Sequence, residues 1–272
     1  MFVRHRHDAV RDNLSMTQLT PYSGRRCADV LGSPIDAIDW GNALNTISNW
    51  AERRESRYVC ICNAHSVVTA AQDSGFRQVL ADADMATPDG APVAWVMRRT
   101  GHPTQERING PDLMQKFCER AAADGTPIYL LGSTPQSLAA LQRNLLVVLP
   151  ALTIVGAMSP PFRELSAPED DALVAAVNGA NPGVVFVSLG CPKQERWMAA
   201  HRGRINAVMI GVGAAFDFHA GTVMRAPDWM RRHGLEWLHR LISEPRRLWR
   251  RYLVSNSAFI VGAVRQLLRR GG

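Results

Sequence analysis

Apolar positions fall into two kinds of run that alternate along the chain. Short continuous runs recur at 58–62, 85–87, 128–131, 152–155, 184–189 and 207–212. Between them lie longer segments in which apolar residues return every three or four positions. A short run without polar alternation fits a strand buried on both faces, and the longer spacing fits a helix with one apolar face. The pattern predicts five or six strands joined by helices. This is an α/β fold with a Rossmann-like, doubly wound, mainly parallel sheet. A helix is expected from Asp39 or Trp40 to Arg54, with Asp39 as cap, and others begin near Ser66, Phe76, Ala91, Pro111, Pro135 and Pro168. After Asp217 no further strand is evident. Helices are expected over 227–232, 235–244 and 245–270, the last with a break near Asn256.

The most informative stretch is 184–217, VVFVSLGCPKQERWMAAHRGRINAVMIGVGAAFD. It reads as strand, turn, helix, strand and loop. Ligands of open α/β sheets bind at the carboxyl ends of the strands, so the residues just after each strand are the candidates for chemistry. Here the turn supplies Lys193, Gln194 and Glu195 near a helix N-terminus, where free N–H groups favour phosphate. Asn63 and His65 follow the first strand. Asn63 also fits a plain turn. Asp89 follows the 85–87 strand in a Pro-Asp-Gly turn and is the best candidate general base, although Asp in that position also serves as a turn former or helix cap. Arg107 precedes the NGPD turn, where it suits a phosphate or simply solvent. Gly132 and Ser133 end the clearest Rossmann-like unit and can approach a phosphate or nucleoside through the backbone. Neither GxGxxG nor GxxxxGK[ST] is present, so neither a dinucleotide nor a P-loop is inferred.

Charge sharpens the picture. The formal net charge is +7, but residues 225–272 carry eleven Arg against three acids. The positive field therefore belongs to the C-terminal helices, where Trp229, Trp237, Trp249, Tyr252 and Phe259 are interleaved with the arginines. Such a segment suits an anionic membrane surface or a diphosphate. Nucleic acid is the other partner of basic tails, but no recognisable module supports it. No run is long and apolar enough to span a membrane and no secretory signal is evident. The five cysteines show no framework spacing and read as reduced and mostly buried, in a cytosolic protein. Residues 1–26, with five Arg and two His, read as a disordered tail. The remainder divides into a core at 27–224 and a basic helical appendage at 225–272.

Five separated blocks, TPDGAP, ERINGPDL, LGCPKQERW, GVGAAFDFHAG and RAPDWMRRHGLEWLHRLISEPRRLWRRY, resemble the WecG/TagA/CpsF glycosyltransferases over about residues 30–253. The resemblance implies an inverting enzyme peripheral to the inner face of the cell membrane. Such an enzyme moves a sugar from a UDP-sugar to a polyprenyl-diphosphate-linked saccharide. No DxD-like pair stands out at a strand end, so no metal is demanded, and no cofactor is expected. It implies that Asp89 is the base on the acceptor hydroxyl. Asn63, Gly132, Ser133, Lys193, Gln194 and Glu195 would line the donor. His65, Arg107, Arg240, Arg247 and Arg250 would meet the acceptor and its diphosphate. The family often carries Thr two positions before that Asn, where this chain has Ile61. With CICNAH, the chain is more similar to the exopolysaccharide branch, for which a hexose donor is expected, than to the N-acetylmannosamine transferases of teichoic acid or common antigen. Three rivals fit parts of the sequence: an NAD(P) oxidoreductase, a nucleic-acid-binding protein and a nonenzymatic membrane adaptor. A dimer or trimer through the amphipathic tail is compatible with it.

Overall fold

The computed structural model describes residues 25–270. A hairpin of β1 (Cys27–Val30) and β2 (Ser33–Asp36) comes first, followed by α1 (Trp40–Glu52). Then β3 (Arg57–Cys62), α2 (Ala64–Gln72), α3 (Ser74–Ala81), β4 (Met85–Pro88), α4 (Ala91–Arg99) and α5 (Gly110–Asp124) lead to the centre of the chain. From there run β5 (Ile128–Gly132), α6 (Pro135–Val148), β6 (Ile154–Met158), α7 (Ala167–Gly179), β7 (Val184–Ser188), α8 (Lys193–His201) and β8 (Val208–Gly211). Four helices close the chain: α9 (Ala215–His219), α10 (Asp228–Arg232), α11 (Glu236–Ser243) and α12 (Pro245–Arg270).

Strands β3 to β8 form one six-stranded parallel sheet in the order β4-β3-β8-β7-β5-β6. Its strands look uniformly apolar because both faces are covered, yet the residues alternate between two cores. Tyr58, Cys60, Tyr129, Val185 and Met209 face a layer built by α2, α3, α7, α8 and α12. Val59, Ile128, Phe186 and Ile210 face α1, α5, α6 and α9. Phe117 of α5 meets Phe186 edge-on, with ring centroids 6.1 Å apart. Burying aliphatic and aromatic side chains of this size contributes about 1.5–3 kcal/mol each, which makes these two layers the main stabilising feature.

Local sequence explains most boundaries. Asp39 caps α1 by accepting the Asn42 N–H. Thr134 does the same for α6, Asn109 for α5 and Asp73 for α3. Four expectations are corrected. The ordered chain starts no later than Arg25, which pairs with Asp36 at 2.9 Å and donates to the carbonyls of Ala81, Ala83 and Pro34. The rest of the expected tail lies outside the described residues. Strand β6 covers Ile154–Met158 rather than 152–155, so the expected GAM loop is strand. It is an edge strand, half-exposed throughout, which weakens its apolar signature. The GAAFD segment enters helix α9 instead of remaining loop. Helix α12 does not break at Asn256.

That long helix is part of the core. Phe259 and Ala263 sit in the same apolar layer as α2, and Ser255 is buried against His65. The hairpin tip locks its far end. Leu31 and Gly32 both have positive φ, the geometry of a two-residue hairpin turn. Gln266 accepts the Leu31 N–H and donates to the Asp29 carbonyl. Among the described residues no helix is long and apolar enough to cross a membrane.

A buried ion network fixes β3 and β4 under the rim. Asp84, wholly buried, pairs with Arg57 at 2.8 Å and Arg202 at 2.7 Å and accepts the Tyr58 N–H. Removing one side of such a network leaves buried charge uncompensated. Asp84→Ala is expected to lower the unfolding free energy by about 3 kcal/mol, read by chemical denaturation. A loss below about 1 kcal/mol would mean the network is relaxed by solvent.

Candidate active site

The carboxyl ends of the six strands form the rim on which the chemistry-bearing residues collect. Gly132 ends β5 at φ +116°, and a Cβ there would stand 2.2 Å from the Ser188 carbonyl oxygen. Only glycine allows β5 and β7 to approach this closely, because any side chain would strike the neighbouring backbone. Ser133, also at positive φ, donates its N–H to that same Ser188 oxygen, and its carbonyl accepts the Ser159 hydroxyl. The Ser188 hydroxyl donates to the Gly213 carbonyl. A serine ladder thus ties the ends of β6, β5, β7 and β8 together.

On the other half of the rim, Asn63 caps α2. Its Oδ1 accepts the N–H groups of His65 and Ser66, and Ser66 Oγ accepts the Asn63 N–H in return. The turn-residue reading of Asn63 is therefore correct for Oδ1, while the half-buried Nδ2 has no partner among the described residues. His65 turns away to α12, with Nδ1 3.0 Å from Ser255 Oγ. Ile61 is buried beneath Gly110 at the start of α5.

The GCPKQE turn splits in two. Gly190 has positive φ and the Cys191–Pro192 peptide is cis. Lys193 opens α8 exposed, whereas Gln194 and Glu195 are buried, Gln194 against Gly211 and Gly213. Gln194 Nε2 donates to Glu195 Oε1 at 2.9 Å. Gln194 Oε1 and Glu195 Oε2 are buried with no partner among the described residues. Burial raises the Glu195 carboxyl above the usual carboxylate range.

Asp89 stands directly after β4. Its N–H donates to the Cys62 carbonyl at 2.9 Å, and the Pro88 carbonyl accepts the Ile108 N–H. The helix-cap reading does not hold, because Gly90 is the N-cap of α4 and no side chain bonds there. The carboxyl is pushed up to about 6. Desolvation is the main cause and the charge of Glu236 the next, opposed by Arg107, the Gly90 N–H and Arg240. A carboxylate with that value is a stronger base than an ordinary Asp and still ionised at neutral pH.

The C-terminal helices provide the wall over Asp89. Gly234 packs so closely on Ala91 that a Cβ would come within 2.6 Å, and this contact seats α11 on α4. Glu236 then reaches Arg107 at 3.4 Å. Arg225 holds Asp112 at 2.6 Å, and Arg231 lies 3.7 Å from the same oxygen. The Asp112 carboxyl falls below its ordinary value: burial works against this, but the Asn109 amide and Arg225 outweigh it. Arg240 lies over the Phe218 ring at 5.5 Å. The Nε atoms of Arg225, Arg231 and Arg240 and the Nδ1 of His239 are buried without hydrogen-bond partners among the described residues.

Of the expected acceptor residues, Arg107 and Arg240 are thus the two whose charges act on Asp89. Arg250 is exposed over Trp249 on α12, and the Arg247 side chain lies outside what the structure describes. Sequence reasoning did not single out Arg225, Arg231, Glu236 or His239. All four lie within the RAPDWMRRHGLEWLHR segment, whose interleaving of acids with arginines was the available signal.

The cap oxygen and the amide nitrogen of Asn63 can be separated. Asn63→Asp keeps the cap oxygen and is expected to melt like the parent, whereas Asn63→Ala loses about 1 kcal/mol. Equal loss in both would place the amide nitrogen in a structural bond.

A sequence model of the glycosyl transferase WecG/TagA/CpsF family matches residues 28–272, which takes in the whole sheet, its rim and the C-terminal helices. The chain therefore belongs to the WecG/TagA/CpsF family of glycosyltransferases.

Proposed function

We propose that this enzyme transfers a hexose or N-acetylhexosamine, with inversion, from a UDP-sugar to a polyprenyl-diphosphate-linked saccharide. The observation that carries the reading is Asp89: a carboxylate at a strand end, raised to about 6 and walled by Arg107 and Arg240. Asp89 accepts the proton of the acceptor hydroxyl as that oxygen bonds to the anomeric carbon. The bond from that carbon to the UDP oxygen breaks, and UDP leaves with the electron pair. The donor lies along the Asn63, Gly132, Ser133 and Lys193 rim, with Gln194 and Glu195 beneath it. Backbone N–H groups there and Lys193 offset the charge on the leaving diphosphate.

The acceptor diphosphate occupies the arginine wall, where buried nitrogens lack acceptors. Arg107 and Arg240 are its nearest partners; His65, Arg247 and Arg250 would extend the path along α12. On this reading 27–224 forms the catalytic core and 225–272 the acceptor-facing part. The buried Ile61 fits a hexose donor of the exopolysaccharide type better than N-acetylmannosamine, because no hydroxyl is offered there.

The outer stripe of α12 favours a peripheral position on an anionic membrane. Leu253, Ile260, Val264 and Leu268 are all at least half-exposed and lie on one side of a helix rich in arginine. A second copy of the chain is the competing cover for that stripe.

Asp89→Asn is expected to keep the melting temperature and lower kcat by a hundredfold or more, within the ~10²–10⁴ range of general base catalysis. In the parent enzyme kcat/KM should fall as pH drops through about 6, because protonated Asp89 accepts no proton. Near-normal turnover of the variant removes Asp89 from this role. A donor screen with UDP-glucose, UDP-N-acetylmannosamine and related sugars, read by product mass, should favour the hexose. For the membrane, Ile260→Ser, Val264→Ser and Leu268→Ser combined should release the protein from anionic vesicles while melting normally. Retained binding, or a dimer that dissociates instead, assigns the stripe to another partner.

A further inference from the structure

The arginine wall already holds an anion of its own. Glu236, in the first turn of α11, places one carboxylate oxygen 3.4 Å from Arg107 Nη1 and the other 3.9 Å from Arg225 Nε. Both distances are long for a charge-assisted bond, which settles near about 2.7–2.9 Å. The same Arg225 grips Asp112 at 2.6 Å. Arg225 therefore has a tight partner on the core and a loose one on α11. The two acids also differ in where they sit. Asp112 lies in the first turn of α5, bonded to its cap Asn109, and is part of that helix start. Glu236 belongs to the C-terminal wall and bridges it to the core through Arg107.

The carboxylates beside this cluster, Glu236, Asp112, Asp228 and Glu244, leave part of it unsatisfied. Arg225 Nε, Arg231 Nε, Arg240 Nε and His239 Nδ1 are buried and lack hydrogen-bond partners among the described residues. A buried polar nitrogen without a partner is destabilising, so the cluster favours an anion with more oxygens than Glu236 offers. A diphosphate has them. Glu236 is tethered beside the cations, so it keeps them at the rim when no such anion is present.

We propose that Glu236 is a positioning residue of the acceptor site: its carboxylate holds Arg107 and Arg225 as an internal anion and yields them to the diphosphate of the acceptor. This rests on the reading that the arginine wall receives that diphosphate. The exchange makes Glu236 a competitor of the ligand as well as a holder of its partners. Removing its charge therefore strengthens diphosphate binding, whereas removing a purely structural clamp weakens it. The sign separates the two.

The test uses the full chain and inorganic pyrophosphate as the probe, followed by calorimetry, for the parent, Arg240→Gln, Glu236→Gln and Glu236→Asp. Glu236→Gln should bind pyrophosphate roughly three- to tenfold more tightly, the scale of losing one nearby partly screened charge. Glu236→Asp, which withdraws the carboxylate by one methylene, should give a smaller gain and covers the case in which Gln disturbs α11. In the transfer reaction Glu236→Gln should lower KM for the lipid-diphosphate acceptor and leave KM for the donor unchanged. If Arg240→Gln weakens pyrophosphate binding but neither Glu236 variant tightens it, the exchange is overturned and the diphosphate reading stands. If the parent binds no pyrophosphate, or Arg240→Gln binds it as well as the parent, the diphosphate reading fails and this inference fails with it.

Discussion

A half-buried carboxylate, desolvated by its surroundings yet kept near cations, is the constraint on which the rest of this structure turns. Asp89 is held at the end of β4 by backbone bonds to β3, so its position is as rigid as the sheet. Burial alone would push such a group toward neutrality. Arg107 and Arg240 limit that push, and Glu236 works against them. The result is a carboxyl raised to about 6, the range that the proposed base role calls for. Moving any of the three charged neighbours changes the balance, and two of them, Glu236 and Arg240, are on α11.

That dependence explains why the C-terminal helices are built into the fold. A tail attached loosely would neither desolvate Asp89 nor hold charges beside it. Here α12 contributes Phe259 and Ala263 to the core, Gln266 clamps the hairpin tip, and Gly234 lets α11 sit directly on α4. On the proposed reading the sheet supplies the donor side of the rim and the helices the acceptor side, so the two halves meet at one carboxylate. The same helices present an apolar, arginine-flanked stripe outward, which places the acceptor side and the proposed membrane contact on one structural element.

Much of this was legible in the residues and some was not. Parallel strands announce themselves through short apolar runs, and β3, β5, β7 and β8 fall within a residue or so of where those runs place them. Strand β6 did not, because an edge strand half-exposed to solvent has little reason to be apolar and includes Gly156 under the Tyr129 ring. The hairpin of β1 and β2 is only four residues a side, too short for a period to show. Asp89 was legible because a Pro-Asp-Gly turn after a strand is a local pattern. The wall over it was not. Arg107 and Glu236 are 129 positions apart, and no periodicity links an acid on one helix to an arginine on a distant loop. Lys193, Gln194 and Glu195 are adjacent in sequence, yet the helix turns one outward and two inward, a division that local pattern reading merged.

The ionisation of Asp89 itself is the most direct measure of this arrangement. Carbon-13 NMR of the aspartate carboxyls in the full chain, assigned with Asp89→Asn, reports its titration without reference to turnover. The account predicts a midpoint near 6 that rises further when pyrophosphate enters the arginine wall and adds negative charge beside it. A midpoint in the ordinary carboxylate range, near about 4, and unmoved by pyrophosphate would contradict it.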